Sequence, residues 1–500
     1  MASRSKRALV ALVGGLGAVS GFSPSGLPWL TLACLALLFL VWLRTPTPRE
    51  AALNGFLFGL GLFGAGASWV YISLHDFGMM PAPLAAAATA FFCVYLALFP
   101  ALAGSLQARL DAPSWMQAIF VIPGCWVITE WMRSWLLTGF PWLAMGYSQV
   151  DSGFSGYAPL MGMYGVSLLM AMAAGSIAAA LLPAPNAVRA RLVLVAIGIF
   201  AVGVMLRLVD WVTPHGAPVP VALIQGNIAQ EQKFEPQQYL ATLATYQRLI
   251  ESTKAQLVVL PETAVPRFLD LVDPDYLDGL AAIMRRRGGD LLLGAPFRTS
   301  NGNYYNGVVN LGHSDLQFYA KSHLVPLGEF VPAEFKWIVS TLRIPLSDFS
   351  AGKRSKPLLS AGERIGITVC YEDAFGEELI SQLPEATLLA NLSNVAWFGD
   401  SLAPGQHLQI SRMRSIEAGR YMLRATNTGV TAIIDQRGNV EAQLPLFSEG
   451  VLHGNAQAFS GATPYVRVGN YLSLVLCWLF LLGGIALSLR SRHSQATAPH

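Results

Sequence analysis

Seven apolar stretches precede one long polar block and an eighth follows it, which is more continuous apolar chain than a water-soluble core absorbs. Their limits are Ala8–Phe22, Leu27–Leu43, Ala51–Leu74, Ala82–Leu106, Met116–Leu137, Tyr157–Leu182, Arg191–Val212 and Tyr471–Arg490. A helix of about 20 apolar residues, rising about 1.5 Å each, crosses the hydrocarbon of a bilayer. Most of these stretches reach that length. The chain is 53% hydrophobic and only 13% charged, which places it in the membrane class. A net charge of +3 is too small to argue for a nucleic-acid partner.

The placement of basic residues sets an expected orientation. Lys and Arg occur at the start (Arg4, Lys6, Arg7), between stretches two and three (Arg44, Arg49), at Arg109, at Arg189, and after the last stretch (Arg490, Arg492). The alternate connections, Ser23–Gly26, His75–Pro81 and Thr138–Gly156, contain none. Both termini are therefore expected on the cytoplasmic side, and the polar block on the other, which in a bacterium is the periplasm. The expected division is a bundle of seven spans over 1–212, an exported domain over 213–469, a last span over 470–490 and a tail over 491–500. The first stretch also has the look of a cleaved signal peptide, but no small-residue cleavage site follows its apolar run, and an uncleaved anchor fits better.

Of five cysteines, Cys34, Cys93, Cys125 and Cys477 fall inside the apolar stretches, leaving Cys370 alone in the polar block. It has no disulfide partner there, although that compartment permits one. A lone thiol under oxidising conditions is either a small core hydrophobe or a nucleophile.

Within the block, short apolar runs read as buried strands: Val219–Ile224, Gln256–Leu260, Asp290–Leu293, Val308–Leu311, Leu316–Tyr319, Ile365–Val369 and Ala386–Ala390. Helical spacing is predicted over Pro236–Thr253, Pro274–Arg287, Glu377–Leu383 and Pro404–Leu423. Asn301-Gly302 and Asn306-Gly307 read as turns, and Thr431–Asp435 with Val440–Gln443 as a hairpin. Strands alternating with helices imply an α/β layered domain. The segment Val331–Arg354 is apolar for a loop (Phe335, Trp337, Ile338) and is expected to be a lid that dips into the bilayer surface.

Three chemically useful side chains stand at the ends of such runs. Glu262 follows Leu257–Pro261, Lys321 lies in Tyr319-Ala320-Lys321-Ser322-His323, and Cys370 ends Ile365–Val369. A carboxylate, an ammonium and a thiol are the parts needed to form an acyl-thioester and pass the acyl group on. Taken singly, each has a plainer reading: a solvated carboxylate, a hairpin lysine and a core thiol.

Together these segments resemble the Glu–Lys–Cys segments of the nitrilase superfamily: Leu260-Pro261-Glu262-Thr263, Tyr319 through Glu329, and Val369-Cys370-Tyr371-Glu372. The surrounding spans, Gln225-Gly226-Asn227, and Asn394 through Gly399 narrow the resemblance to the bacterial apolipoprotein N-acyltransferase family. The resemblance implies a membrane helical bundle of about eight helices carrying an αββα sandwich. It also implies a phospholipid acyl donor, a lipidated apolipoprotein acceptor and a thioester on Cys370. Glu262 would be the general base and Lys321 the oxyanion partner. Phe234 departs from the family, which often has tryptophan there, and Gly405 stands in place of a bulky aromatic.

Around the three, the backbone N–H of Tyr371 is a natural second oxyanion donor. Glu329 and Glu372 are candidates to orient Lys321 or relay protons, or to form plain salt bridges. Phe234, Trp337, Trp397 and Phe398 are candidates for the lipid pocket. Arg412, Arg414, Arg420, Arg424 and Glu417 read as structural ion pairs or as phosphate ligands. Glu130 and Arg133, inside the fifth stretch, read as an internal pair. His215, His313, His323, His407 and His453 lack metal-ligand spacing, and no cofactor motif is present, so neither a metal nor a cofactor is expected. A membrane-bound amidase and a non-catalytic lipoprotein-binding scaffold remain as alternatives.

Overall fold

The computed structural model describes residues 3–300, 302–326, 328–331, 349–353 and 356–496. Trp337 and most of the expected lid, 332–348 and 354, lie outside the described residues, as does Asn301. Two compact units emerge, one of 1–71, 80–210 and 467–500, the other of 72–79 and 211–466.

In the first unit every apolar stretch is helical. Helices cover Arg4–Ala18, Pro28–Leu43, Pro48–Gly66, Ala82–Gln107, Ile122–Arg133, Ala158–Ala180, Asn186–Leu206 and Tyr471–Ala496. Among the described residues four apolar segments are long enough to cross a membrane: Ala82–Gln107, Gly153–Ala180, Asn186–Leu206 and Tyr471–Arg490. A fifth is reached by joining Pro48–Gly66 to Val70–Phe77 across a 55° bend. These helices are consistent with a membrane-integral protein.

Among the described residues the other apolar stretches fall below that length as single helices, being short or interrupted by chain breaks that apolar content does not reveal. Pro28–Leu43 is apolar but has only 16 residues. The fifth stretch is divided by a π-turn at Gln117–Val121 that leaves a 12-residue helix. The seventh ends as helix at Leu206, and Val212 joins the core of the second unit. Inside the first unit Glu130 and Arg133 are both buried. Glu130 Oε1 accepts from the Met145 N–H at 2.8 Å, and Arg133 Nη1 donates to the Trp142 carbonyl at 2.6 Å. Both charges thus hold the turn that follows their own helix.

The second unit is built on two six-stranded sheets. Its strands are β1 (Thr213–Gln225), β2 (Leu257–Val259), β3 (Asp290–Arg298), β4 (Tyr304–Gly312), β5 (Gln317–Ala320), β6 (Leu358–Ser360), β7 (Glu363–Val369), β8 (Leu388–Ser393), β9 (Met422–Thr426), β10 (Ala432–Ile434), β11 (Val440–Gln443) and β12 (Gly450–Ser460). The orders are β12-β1-β2-β3-β4-β5 and β11-β10-β9-β8-β7-β6. In each sheet three central strands are parallel, β1-β2-β3 and β7-β8-β9, with antiparallel strands outside them. That arrangement explains the sequence pattern. Parallel strands are covered on both faces and read as unbroken apolar runs.

Period-two alternation divides the strand residues between two layers. Val221, Leu223, Leu257 and Val259 face inward and meet Ile365, Ile367, Leu388 and Leu392 of the other sheet. Their neighbours Ala222, Ile224, Val258 and Leu260 pack outward on Tyr246, Leu249, Leu280 and Met284 of helices Tyr239–Glu251 and Pro274–Arg286. On the far side Leu389, Met422 and Ile434 pack with Leu379 and Ala418. The result is four layers, helix–sheet–sheet–helix. Each fully buried Leu, Ile or Val contributes about 1.5–3 kcal/mol before the entropy cost of ordering it.

Three local expectations are corrected. The helix predicted over Pro404–Leu423 runs from Ala403 to Ala418 and stops because Gly419 takes a left-handed φ of +63°, after which β9 begins. Asn306-Gly307 is not a turn but lies within β4, paired with Pro296 and Ala295. Strands β6, β9 and β12 are additions to the strands expected from sequence.

Candidate active site

The candidate site forms where the parallel strands end at their carboxyl termini, the usual location in open α/β sheets. There, β1, β2 and β7 each give way to a non-glycine residue with positive φ: Asn227 (+50°), Thr263 (+50°) and Cys370 (+53°). Left-handed backbone costs an L residue about 1–2 kcal/mol and persists where surrounding contacts enforce it. Beneath Glu262 the chain also comes unusually close to β3, since a Cβ on Gly294 would lie 2.3 Å from the Pro261 carbonyl oxygen. Only glycine fits there.

Glu262 is buried and receives donors from three directions. Its Oε1 accepts from Asn306 Nδ2 at 2.7 Å and from Lys321 Nζ at 3.4 Å, and its Oε2 accepts from the Asn394 N–H at 2.8 Å. Lys321, 1% exposed, lies closer to Glu329, at 2.8 Å from its Oε2. Asn306 Nδ2 joins the two carboxylates by also donating to Glu329 Oε1 at 2.7 Å. Burial opposes the Lys321 charge, but Glu329 and then Glu262 outweigh it and hold its pKa above the ordinary lysine value. Because Glu329 takes the shorter contact, the ammonium is neutralised without locking Glu262 into a tight ion pair.

Cys370 is partly exposed and opens a 3₁₀ turn, Cys370–Ala374, directly after β7. Burial of its thiol and the negative Glu262 push its pKa above the ordinary value, against the pull of Lys321. A standing thiolate at neutral pH is thus disfavoured, and sulfur attack requires a base that takes the proton as the bond forms. The Cys370 carbonyl is held from below by Asn391 Nδ2 at 3.1 Å and by His407 Nε2 at 3.2 Å. His407 Nε2 also lies 2.8 Å from Asp373 Oδ1, and Arg424 Nη1 lies 3.5 Å from Asp373 Oδ2.

The other sequence candidates fall in different places. Glu372 is buried and forms no salt bridge among the described residues. Its Oε1 accepts from the Ser322 N–H at 2.6 Å and the His323 N–H at 3.1 Å, and its Oε2 from Tyr319 Oη at 2.9 Å and the Val369 N–H at 2.7 Å. It fastens the Lys321 segment to the strand that ends in Cys370. The Tyr371 ring packs on Phe375, with centroids 5.1 Å apart. Phe234 and Trp397 are exposed, at 60% and 40%, and Phe398 is half-buried. Trp397 packs edge-on against Phe77 at 6.2 Å, and its carbonyl accepts from Ser73 Oγ at 2.7 Å. Gly405 lies in the first turn of helix Ala403–Ala418. Arg414, Arg420 and Arg424 are buried among protein acceptors, and Arg414 pairs with Glu417 at 3.1 Å. Arg412 Nε donates to the Gly438 carbonyl at 2.7 Å. These contacts fit the structural reading of the arginines.

Sequence reasoning missed Asn306, Asn394 as a backbone donor to Glu262, and Lys233. Lys233 is 2% exposed and donates from Nζ to the Glu262 carbonyl at 3.2 Å. Nothing in the polar run Gln230–Lys233 marks it as buried.

Comparison with known proteins decides the family. Residues 14–176 match the apolipoprotein N-acyltransferase N-terminal domain, and residues 220–465 match the carbon-nitrogen hydrolase family. An apolipoprotein N-acyltransferase of Nitrosomonas europaea is 48% identical, with 97% of this chain and 98% of the relative covered. The chain belongs to the apolipoprotein N-acyltransferase family. Relatives of the same name from Methylococcus capsulatus (43% identical; 98% of each chain covered) and Chromobacterium violaceum (44% identical; 97% and 94% covered) agree. The protein is therefore an acyltransferase of lipoprotein maturation with a nitrilase-like domain, and the scaffold alternative falls away.

Two results are expected of this acyltransferase. Lys321→Met leaves the buried Glu262 and the half-buried Glu329 without their cation, and removing one partner of a buried pair costs about 3–5 kcal/mol. Thermal unfolding in detergent should show the loss below the ordinary lysine pKa of about 10.4, where wild-type Lys321 is charged. The folded pKa is raised, so the wild-type advantage is fully present below that value. It declines only as pH rises through and beyond it. An unchanged melting temperature at pH 7 would remove the ion pair from the account. On the base role proposed below for Glu262, Glu329→Gln should shift the ammonium onto Glu262 and slow acylation about 10²-fold, within the range for impaired general-base catalysis. A rate within about twofold of wild type would show that the shorter Glu329 contact does not tune the base.

Proposed function

We propose that the protein moves an acyl chain from a membrane phospholipid, through a thioester on Cys370, to the free α-amino group of a lipidated N-terminal cysteine. The observation that carries this reading is the shared site of Glu262, Lys321 and Cys370 in a chain whose other unit is rich in membrane-length helices. Glu262 takes the thiol proton as sulfur attacks the ester carbonyl. The new oxyanion faces Lys321 and the backbone N–H of Tyr371. The C–O bond then breaks, and the lysophospholipid oxygen leaves with the proton from Glu262. In the second half the amine attacks the thioester and Glu262 takes a proton from it. The amide forms, and the thiolate leaves and is reprotonated. Two substrates sharing one cysteine give ping-pong kinetics.

In this reading the protein is a multi-pass enzyme of the bacterial inner membrane, with eight spanning segments and both termini cytoplasmic. Segments 1–212 and 470–490 anchor a periplasmic catalytic domain over 213–469, and 491–500 forms a cytoplasmic tail. The distribution of Lys and Arg supports the orientation. Lateral diffusion delivers both lipids, and the exposed Phe234 and Trp397 are suited to meet them. The proposed chemistry needs no metal or cofactor, because passing an acyl group from an ester to a thiol and then to an amine involves no redox change and only proton transfers that side chains can perform.

The test is a two-step incubation. The purified protein receives acyl-labelled phospholipid, then a peptide with a lipidated N-terminal cysteine. Label should pass to the protein and then to the peptide amine. Release of label only as free fatty acid would indicate hydrolysis of the amidase type, and absence of label from the protein would refute the intermediate.

A further inference from the structure

Lys233 lies in the loop between β1 and helix Tyr239–Glu251, next to Phe234 but turned into the protein at 2% exposure. A buried ammonium has three donors to satisfy and a charge to balance. Its one acceptor among the described residues is the Glu262 carbonyl, at 3.2 Å, and no described carboxylate lies within ion-pair distance of it. Charge burial of this kind is costly and is retained where something offsets it. Glu262 and, when ionised, Cys370 favour its charged form.

The same loop is fastened to the second sheet. Gln230 Oε1 accepts from Asn394 Nδ2 at 2.9 Å, and Asn427 bonds both the N–H and the carbonyl of Ile228. Asn394 is also the residue whose N–H holds Glu262 Oε2. Lys233 is therefore fixed against the backbone of the proposed base, on a loop bound to the strands that carry the rest of the site.

We propose that Lys233 is a second cation of the acyl-transfer site, a positioning residue that holds the Glu262 backbone and favours the negative charge that sulfur develops. This deepens the function proposed above, since it takes Cys370 as the nucleophile. Lys321 also favours negative charge on the sulfur, but two carboxylates lie within ion-pair distance of it. Lys233 has no carboxylate within ion-pair distance among the described residues. The relation is reciprocal: a developing thiolate keeps Lys233 protonated, and a protonated Lys233 eases thiolate formation. Burial pushes the Lys233 pKa down to about 8, against the pull of Glu262 and Cys370, so its charge is lost within a measurable pH range.

The test is the pH dependence of Cys370 alkylation, read on the full-length protein in detergent by peptide mass spectrometry. Iodoacetamide is the probe, so no lipid substrate is required. The charged groups that interact with the thiol are Glu262, Lys321, Glu329 and Asp373, together with Lys233 itself and the buried Arg424, which stays charged throughout the pH range tested. Lys233→Gln can keep the hydrogen bond to Glu262 while removing the charge. It should lower the alkylation rate about tenfold at about pH 6–7, as expected when an opposite charge beside a thiol is deleted. The gap should close above about pH 9, where wild-type Lys233 is itself neutral. Acyl-enzyme formation from phosphatidylethanolamine micelles should slow by a similar factor, with KM changed less than about twofold. If Lys233→Gln does not fold, Lys233→Arg should restore folding and keep the rate advantage at neutral pH. Parallel wild-type and Lys233→Gln profiles, or an Arg variant that alkylates as slowly as Gln, would overturn the proposal. Failure of the wild-type protein to take an acyl group would instead count against the proposed function, leaving the alkylation result to stand alone.

Discussion

Replacing Cys370 by alanine is expected to lower N-acylation by about 10⁴-fold or more, the scale seen when a covalent nucleophile is deleted from an acyl-transfer site. The substitution should be structurally mild. Cys370 is partly exposed, its side chain makes no hydrogen bond on which the fold depends, and alanine bears a similar cost for the +53° φ. The carbonyl contacts from Asn391 and His407 are main-chain contacts and survive the change. Melting temperature in detergent should therefore stay within a few degrees of wild type, while the protein no longer gains acyl mass. Substantial turnover by a well-folded Cys370→Ala protein would exclude the sulfur as nucleophile.

Glu262→Gln carries the second largest effect. General acid–base groups contribute about 10²–10⁴-fold, and in the proposed mechanism one carboxylate serves proton transfers in both half-reactions. Acylation and transfer to the amine should therefore slow together. The variant also has a structural cost. Asn306 Nδ2, Lys321 Nζ and the Asn394 N–H all donate to this carboxylate, and a glutamine amide must turn its NH₂ toward one of those donors. The unsatisfied donor should cost about 1–3 kcal/mol. Measuring melting temperature beside the two half-reaction rates separates the effects. Normal rates in either half would leave that half without Glu262 as its base.

The strands that carry the candidate site were legible because parallel strands are covered on both faces. Leu257–Leu260 is an unbroken apolar run and Ile365–Val369 is interrupted by one polar residue, Thr368, and each is followed closely by a polar side chain with chemistry to offer. Strand β12 was invisible for the opposite reason. It is an edge strand paired only with β1, and Gly454, Asn455 and Gln457 break its pattern. Strand β9 was absorbed into a predicted helix because Tyr421-Met422-Leu423 continues the apolar content of Ala403–Ala418. Only the left-handed Gly419 marks the boundary.

The supporting polar residues were harder to find than the charged ones. Asn306 precedes a glycine and so imitates a turn, yet it sits in β4 with its amide between two carboxylates. Lys233 looks like any surface lysine, because burial of a long polar side chain leaves no periodic signal. In the membrane unit, apolar content located every helix but not its breaks. The π-turn at Gln117–Val121 and the 55° bend after Gly66 depend on packing that the sequence does not display.

The most direct measurement is to locate the acyl chain itself. Wild-type protein incubated with phospholipid and no acceptor is digested and mapped by mass spectrometry, before and after neutral hydroxylamine. The account predicts one acyl mass on the peptide containing Cys370, released by hydroxylamine as a thioester should be, and discharged by an acceptor amine. An acyl group on another residue, or efficient transfer with Cys370 never modified, would contradict it.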